Sequence, residues 1–190
     1  MTKAIFITGA TAGIGAAAAR RFARHGWRVI GTGRGVERLQ QLKDELGEAF
    51  EPLPLDMRDI AALEAIAGTH SEIDLLLNNA GLPPPLAAVQ DSDFADLDTA
   101  IQTNVTGLVA LTRALLPGLI RRKGAIINLS SVAATYPYRG GAVYAGTKAF
   151  VRQFSLDLRS DLHGTGVRVS SIEPGMVETE FTLVRTGGDQ

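Results

Sequence analysis

The sequence predicts an α/β protein with a doubly wound parallel sheet, folded as a single domain. Short, nearly continuous apolar runs alternate with longer amphipathic segments along the chain. Strands that are apolar on both sides are typical of a parallel sheet covered by helices on both faces. The 190 residues, 45% of them hydrophobic, are enough for one well-packed core.

The order of the elements supports this topology. The runs predicted to be strands are Ala4–Thr8, Arg28–Thr32, Phe50–Leu55, Ile73–Asn78, Ala125–Leu129 and Val167–Ile172. The helical patterns between them lie at about Gly13–His25, Val36–Leu46, Ile60–Ala67, Phe94–Arg122 and Ala142–His163. Parallel strands joined through helices require right-handed crossovers, which favours the doubly wound sheet.

Composition excludes several classes of function. A net charge of −1 and a pI near 6.3 argue against a surface for nucleic acids or anionic membranes. The absence of Cys excludes disulfides and Cys-ligated zinc and fits a reducing compartment. His25, His70 and His163 lack the spacing of metal ligands, so no metal is expected. Without a signal-peptide pattern at the N-terminus, we expect a cytoplasmic protein.

A glycine-rich turn separates the first strand from the first helix. It runs from Thr8 to Gly15, and its candidate cofactor contacts are Gly9, Thr11, Ala12, Gly13, Ile14 and Gly15. Glycines let the backbone approach a pyrophosphate, which the amides and dipole of the helix N-terminus favour. The spacing Gly-x-x-x-Gly-x-Gly differs from the commoner dinucleotide fingerprint. A dinucleotide is therefore predicted, with a methyltransferase loop as the alternative at this point.

The end of the second strand predicts which dinucleotide binds. NAD-binding folds place a carboxylate there, whereas an Arg accommodates the 2′-phosphate of NADP. The segment Gly31–Gly35 contains Arg34, and no acid occurs before Glu37. Arg34 can make a bidentate contact to phosphate, with Gly33 leaving room for it. NADP is therefore the predicted cofactor, although Arg34 could instead be a solvated loop residue.

Tyr144 and Lys148 are the candidate acid/base pair. Their spacing places both side chains on one face of the last predicted helix. Lowering the pKa of a phenol by about 2–3 requires roughly 3–4 kcal/mol of preference for phenolate. A cation at about 4 Å supplies on the order of 4 kcal/mol. Tyr144 can therefore work near neutral pH if Lys148 is held beside it; alone, the pair fits a solvated helix face equally well.

Taken together, these motifs resemble the short-chain dehydrogenase/reductase superfamily. Its order and spacing are found over Lys3–Thr179, in Thr8–Gly15, Asn78–Gly81, Asn104, Ser130-Ser131, Tyr144/Lys148 and Pro174-Gly175. The stretch Tyr144–Arg185 is similar to the branch of NADP-dependent 3-hydroxy acid (serine or allo-threonine) dehydrogenases. The resemblance implies a Rossmann-like fold, hydride transfer between NADP(H) and a small secondary alcohol or carbonyl, and a homo-oligomer of two or four subunits.

The resemblance also implies roles for individual residues. Tyr144 would be the catalytic acid/base, Lys148 its partner and a ribose contact, and Ser131 the residue that polarises the substrate. Asn104 would hold a proton-relaying water, and Ser130 would be structural. The other implied cofactor contacts are Asp56 and Met57 at the adenine, Asn79, Ala80 and Gly81 along the adenosine, and Pro174, Gly175, Val177 and Thr179 at the nicotinamide amide. Asp56 could otherwise form only a turn or a helix cap.

A substrate carboxylate would need a cation, and Arg185 is the first candidate. It lies in the segment Thr179–Arg185, which should enter the substrate cleft at the carboxyl ends of the strands. Arg offers a bidentate fit that Lys does not. Arg139, before the Tyr144 helix, is the competing candidate, and Arg185 could also be a solvated loop residue.

The chain departs from the family pattern in two places that bear on function. Gly35 stands where the close branch usually has a second Arg, which would soften the preference for NADP. The sequence stops at Gln190, where relatives continue for another helix, a seventh strand and often a lid. We therefore expect 1–190 to be a dinucleotide-binding catalytic domain with its C-terminal portion missing. A truncated binding module without turnover is the alternative, although the intact catalytic residues argue against it.

Overall fold

A parallel sheet of six strands organises the part of the chain that the structure describes, residues 2–177 of this computed structural model. Its order is β3-β2-β1-β4-β5-β6, with every neighbouring pair parallel. The strands are β1 Ala4–Ile7, β2 Arg28–Gly33, β3 Phe50–Pro54, β4 Leu75–Asn78, β5 Ala125–Leu129 and β6 Arg168–Ile172. The helices are α1 Gly13–Arg24, α2 Val36–Leu46, α3 Ile60–Thr69, α4 Phe94–Ile101, α5 Leu108–Arg122 and α6 Ala142–Asp161. This is the strand order of the Rossmann fold, and the predicted fold class is confirmed.

The strand order reverses between β1 and β4. The chain first builds outward from β1 to β3 and then returns, so that β4 pairs with the other side of β1. In register, Phe6 lies between Ile30 and Leu76. The connections leaving β1 and β4 diverge from this point, which opens a crevice at the carboxyl ends of the strands. The glycine turn follows β1 and the Asn78–Gly81 segment includes the end of β4, so both motifs border this crevice.

Apolar residues fill both faces of the sheet. On one face, under α3, α5 and α6, Phe6, Ile30 and Leu76 are fully buried. On the other face, Ile5 and Val29 pack beneath α1 and α2 and are fully buried as well. Because neighbouring residues of a strand point to opposite faces, a sheet covered on both sides needs apolar residues at every position. This requirement accounts for the nearly continuous apolar runs in the sequence.

The long helix predicted over Phe94–Arg122 is wound differently in its middle. A wider, π-helical stretch at Gln102–Gly107 joins α4 to α5 without a break. Gly107 lies directly against the carbonyl group of Met57. Such stretches are rare in proteins, and those that do occur are often located at functional sites. The remaining predicted elements agree with the structure to within two residues at either end.

We expect Gly107→Ala to lower the free energy of unfolding by about 1–3 kcal/mol, because overpacking forces the backbone to shift. A methyl group at Gly107 would overlap the carbonyl oxygen of Met57. Gly68→Ala is the matched control, since Gly68 is helical and exposed and a Cβ there would have no neighbour within 4 Å. It should raise stability by about 0.5–1 kcal/mol. Chemical denaturation of both variants measures the difference, and equal effects would contradict the packing described here.

Candidate active site

The glycine turn has the geometry of an anion cradle. Gly9 and Gly13 adopt positive φ angles of 65° and 50°, a region that favours glycine. A Cβ at Gly15 would overlap the carbonyl oxygen of Gly9, so only glycine permits the close approach of α1 to the turn. The N-cap residue Ala12 offers no side-chain cap, and the first turn of α1 has no acid. The helix amides are thus available to a phosphate, and the turn fits a dinucleotide.

The Asn79 side chain joins this turn to the loop after β4. Its amide donates hydrogen bonds to the carbonyl oxygens of Thr8 and Gly9, at 2.9 and 3.0 Å. In return, the Thr8 hydroxyl oxygen accepts from the backbone N–H groups of Asn79 and Ala80, at 3.0 and 2.9 Å. The two loops therefore form one unit across the crevice. Asn79 supports the turn, and direct contact of Asn79, Ala80 and Gly81 with the adenosine stays a prediction.

Tyr144 and Lys148 lie one turn apart near the start of α6, with 7% and 5% of their surfaces exposed. The Lys148 Nζ atom is 5.8 Å from the centroid of the Tyr144 ring and donates a hydrogen bond of 2.7 Å to the Leu129 carbonyl oxygen. Burial lowers the pKa of Lys148 from 10.5 to about 8, because removal from water disfavours the charged amine. The alternative of a solvated helix face is thereby excluded for this pair.

Ser130 reinforces the position of Lys148. Its hydroxyl donates to the Lys148 backbone carbonyl at 2.8 Å, while the Lys148 amine donates to the neighbouring residue of β5, Leu129. Two hydrogen bonds, one donated from each side, therefore connect the end of strand β5 to helix α6. The prediction that Ser130 is structural agrees with these contacts.

Ser131 follows directly and begins a short 3₁₀ turn at Val132–Ala134. Its hydroxyl oxygen accepts a hydrogen bond of 3.1 Å from the Ala133 N–H. Since a serine hydroxyl both accepts and donates, its O–H can still donate to a substrate oxygen. The residue is half-buried, and its contact with a substrate stays a prediction.

Asn104 lies in the π-helical stretch and is only 1% exposed. Its side-chain oxygen accepts from the Leu82 N–H at 2.7 Å, and its NH₂ donates to the Leu82 carbonyl and the Thr147 hydroxyl at 3.0 and 3.1 Å. Thr147 in turn donates to the Tyr144 carbonyl at 2.7 Å. Asn104 thus links the loop after β4 to α6, and its predicted water stays a prediction. Thr147 was missed by sequence reasoning, although its position three residues after Tyr144 places it on the same helix face.

The loop after β4 approaches Lys148 at Gly81. A Cβ on this residue would lie 3.2 Å from the Lys148 Nζ atom and 3.7 Å from the Asn104 Oδ1 atom. The absence of a side chain therefore leaves room for the amine. Gly81, Asn104 and Lys148, which are widely separated in the sequence, are brought together by the fold.

The segment after β6 lies beside Ser131. The Pro174 carbonyl oxygen accepts a hydrogen bond of 3.1 Å from the Val132 N–H. Arg152 of α6 supports the same segment through an ion pair of 3.1 Å with Glu173. This places Pro174 and Gly175 next to Ser131, and their contact with the nicotinamide amide stays a prediction. Val177 is described and half-exposed, whereas Thr179 and Arg185 lie outside the described residues.

The predicted adenosine contacts have different surroundings. Arg34 is exposed and directly follows β2. Asp56 accepts from both the backbone N–H and the guanidinium of Arg58, at 2.9 and 2.7 Å. These contacts, chiefly the guanidinium, hold the pKa of Asp56 below its ordinary value, and Arg34 adds to the effect. The Met57 side chain belongs to the core, and the contact of this residue with adenine stays a prediction.

The chain belongs to the short-chain dehydrogenase family: residues 3–186 match the family described as "short chain dehydrogenase". It is similar to the serine 3-dehydrogenase of Agrobacterium fabrum, 58% identical over 194 residues that cover all of this chain and 78% of the relative. It is also similar to the NADP-dependent 3-hydroxy acid dehydrogenase YdfG of Escherichia coli K12, 52% identical over 191 residues, or 97% of this chain and 77% of the relative.

Among solved structures, the chain resembles the closed form of serine dehydrogenase complexed with NADP⁺. The TM-score is 0.94 at 51% sequence identity, over 98% of this chain and 77% of that one. The family predicted from the motifs is thereby confirmed, and the methyltransferase alternative is excluded.

The buried amine gives a pH-dependent prediction. In the protein without cofactor, the Cε resonance of Lys148 should titrate near pH 8, and NMR of isotopically labelled lysines measures this, with Lys148→Met assigning the signal. Because the folded-state pKa lies below the unfolded value, folding binds fewer protons, and the Lys148 contribution to stability should rise between about pH 8 and 10.5. The full rise corresponds to about 3 kcal/mol. A Lys148 signal that titrates only near 10.5 would contradict the burial.

Proposed function

We propose that this protein is an NADP-dependent dehydrogenase that interconverts a small 3-hydroxy acid and the corresponding keto acid. The observation that carries the proposal is the buried Tyr144/Lys148 pair on α6. Hydrogen bonds join Lys148 to Leu129 and Ser130, which directly precede Ser131, at the same edge of the sheet as the glycine turn. A module that only bound a dinucleotide would have no need of this pair. The named activities of the relatives described above support the same reaction and the same cofactor.

Bound NADPH supplies the hydride to the carbonyl carbon, or NADP⁺ accepts it from the alcohol. Tyr144 gives its phenolic proton to the developing alkoxide, and Ser131 donates a hydrogen bond to the same oxygen. In the oxidative direction, Tyr144 as phenolate removes the proton of the substrate hydroxyl. These roles need an acid/base and a hydrogen-bond donor that converge on one oxygen atom.

Lys148 makes this proton transfer feasible. A cation near the phenol favours phenolate, and the effect is stronger where water is excluded. The bond to the Leu129 carbonyl fixes the amine in place, and Gly81 keeps its surroundings open. The second predicted role of Lys148 is hydrogen bonding to the nicotinamide ribose, and the position of its amine next to Gly81 in the loop after β4 supports this role.

Other residues of the chain would hold the ends of the cofactor. The amides at the start of α1 bind the pyrophosphate, Arg34 binds the 2′-phosphate, and Pro174 and Gly175 contact the nicotinamide amide. The substrate carboxylate is assigned to Arg185, with Arg139, which is exposed in the loop before α6, as the competing residue.

We also infer a cytoplasmic homo-oligomer. The helix from Phe94 to Arg122 has the length and apolar composition of a membrane span, yet Leu111, Leu115 and Leu119 are fully buried against the sheet. Its apolar character is therefore accounted for by the core. Exposed apolar residues on the surfaces of α5 and α6, such as Ile120 and Leu156, support association through this pair of helices.

We expect Tyr144→Phe to lower turnover of a 3-hydroxy acid such as serine by at least about 10²-fold, because the general acid is lost. Cofactor affinity should be retained, since the ring and its packing remain. Steady-state absorbance of NADPH measures the first quantity, and quenching of protein fluorescence by NADPH measures the second. Turnover at the wild-type rate would rule out the acid/base assignment.

Lys148→Met serves as the comparison because this residue is assigned two roles. It should reduce both turnover and cofactor affinity. If the wild-type protein binds NADPH but turns over none of a panel of 3-hydroxy acids, the binding module is the correct function instead.

We expect NADP(H) to bind at least about tenfold more tightly than NAD(H), a difference of about 1.4 kcal/mol. Arg34→Ala should weaken binding of NADP(H) and leave NAD(H) nearly unchanged, because only the former carries the 2′-phosphate. Fluorescence titration with the two cofactors measures this preference. Equal losses for both would identify Arg34 as a structural residue.

A further inference from the structure

We infer that Arg152 is a positioning residue for the reaction, because it holds Ser131 in the direction that its hydrogen bond to the substrate oxygen requires. The inference rests on the role proposed for Ser131 and names a residue on which that role depends. Arg152 follows Lys148 by four residues on α6, so its side chain lies one helical turn beyond the amine.

The Arg152 guanidinium bridges the two segments that follow β5 and β6. Its Nη1 atom donates a hydrogen bond of 3.2 Å to the Thr135 hydroxyl oxygen, and its Nε atom lies 3.1 Å from the Glu173 Oε1 atom. Thr135 ends the short 3₁₀ turn that begins at Ser131, and Glu173 directly follows β6. A guanidinium presents its N–H donors in fixed directions within one plane. Two contacts made at once therefore relate both segments to each other and to α6.

Ser131 lies between two backbone hydrogen bonds that join the same two segments. The N–H groups of its two chain neighbours donate to the carbonyl oxygens of Ile172 and Pro174, at 2.8 and 3.1 Å. Glu173 is the residue between these two acceptors. A displacement of Glu173 would therefore move both acceptors and, with them, the backbone at Ser131.

The hydrogen bonds within the 3₁₀ turn preserve its shape. The Ser131 hydroxyl oxygen accepts from the Ala133 N–H at 3.1 Å, and the Thr135 N–H donates to the Val132 carbonyl at 3.0 Å. Such internal bonds do not specify how the turn is directed relative to α6. The bond from Arg152 to Thr135 connects the far end of the turn to the helix that carries Tyr144.

The direction of the turn matters because Ser131 and Tyr144 must converge on one substrate oxygen in the proposed reaction. A misplacement of about 1 Å can lower a rate by up to about 10²-fold. The ion pair itself contributes little to the stability of the fold, since its side chains are 48% and 31% exposed. Loss of Arg152 should therefore reduce the rate more than the stability.

A double-mutant cycle tests whether Arg152 acts through Ser131. At saturating NADP⁺, Arg152→Met should lower kcat and kcat/KM for serine about tenfold, because a hydrogen bond made in the transition state is misdirected. In the Ser131→Ala background, the same substitution should cost less than about twofold, since the group that it positions is gone. Arg152→Lys keeps the charge beside Glu173 without the planar fork and should give an intermediate loss.

Arg113→Met is the matched control. Arg113 lies on α5 and forms an exposed ion pair of 3.1 Å with Glu64, so its substitution removes the same charge and the same kind of contact at another place. It should leave kcat unchanged. Both Met variants should unfold close to the wild-type temperature.

Hydrogen exchange of the protein without cofactor supplies a readout that does not depend on activity. In Arg152→Met, peptides that cover 129–136 and 171–177 should exchange at least about threefold faster, because the bridge between them is lost. The rest of the described chain should exchange as in the wild type, and Arg113→Met should leave both peptides unchanged.

Equal fold losses of kcat in the wild-type and Ser131→Ala backgrounds, or no loss in either, would overturn the inference. A rise in exchange over the whole chain would do the same, because it would show a general structural role. Failure of the proposed function has a different signature. If the wild-type protein turns over no hydroxy acid while Arg152→Met changes exchange only in the two peptides, the positioning of Ser131 stands and the catalytic proposal fails.

Discussion

The burial of the Lys148 ammonium is the constraint on which the rest of the site depends. A charged amine taken out of water is costly unless polar groups surround it. Here the Leu129 carbonyl meets the amine, and Ser130 holds the helix backbone from which it projects. The loop after β4 must approach without a side chain, which accounts for Gly81. One buried amine therefore contacts the end of β5 and the loop after β4 while projecting from α6.

A buried polar layer connects the two halves of the crevice. The Asn78 amide donates to the Thr112 hydroxyl and to the Asn128 side-chain oxygen, at 2.9 and 2.8 Å. Asn128 continues to the Ser155 hydroxyl at 2.9 Å, which reaches α6. Asn79, which follows Asn78, holds the glycine turn, so this layer connects the glycine turn to α6. Hydrogen bonds of this kind have angular requirements that apolar packing lacks, so they specify how the halves are aligned.

Local sequence predicted the features that depend on local chemistry. Apolar runs located the strands, the glycines located the turn, and a spacing of four residues placed Tyr144 and Lys148 on one helix face. What could not be predicted arises from residues far apart in the chain. The π-helical stretch around Asn104 has no periodic signal that distinguishes it from the rest of its helix, and its contacts with Leu82 and Thr147 exist only in the folded protein.

The two ends of the Asn104 side-chain amide have different hydrogen-bond partners, one a donor and the others acceptors. Its oxygen accepts a hydrogen bond from the Leu82 N–H group. Its NH₂ group donates to the Leu82 carbonyl oxygen and to the Thr147 hydroxyl oxygen. The Thr147 hydroxyl already donates its own proton to the Tyr144 carbonyl. An aspartate would occupy the same volume and yet present a carboxylate oxygen to the Leu82 carbonyl. A glutamine has the correct atoms on a stem that is one methylene too long. Of these three side chains, only asparagine satisfies both the Leu82 backbone and the Thr147 hydroxyl, so the joint between the loop after β4 and α6 depends on the identity of this residue as well as on its size.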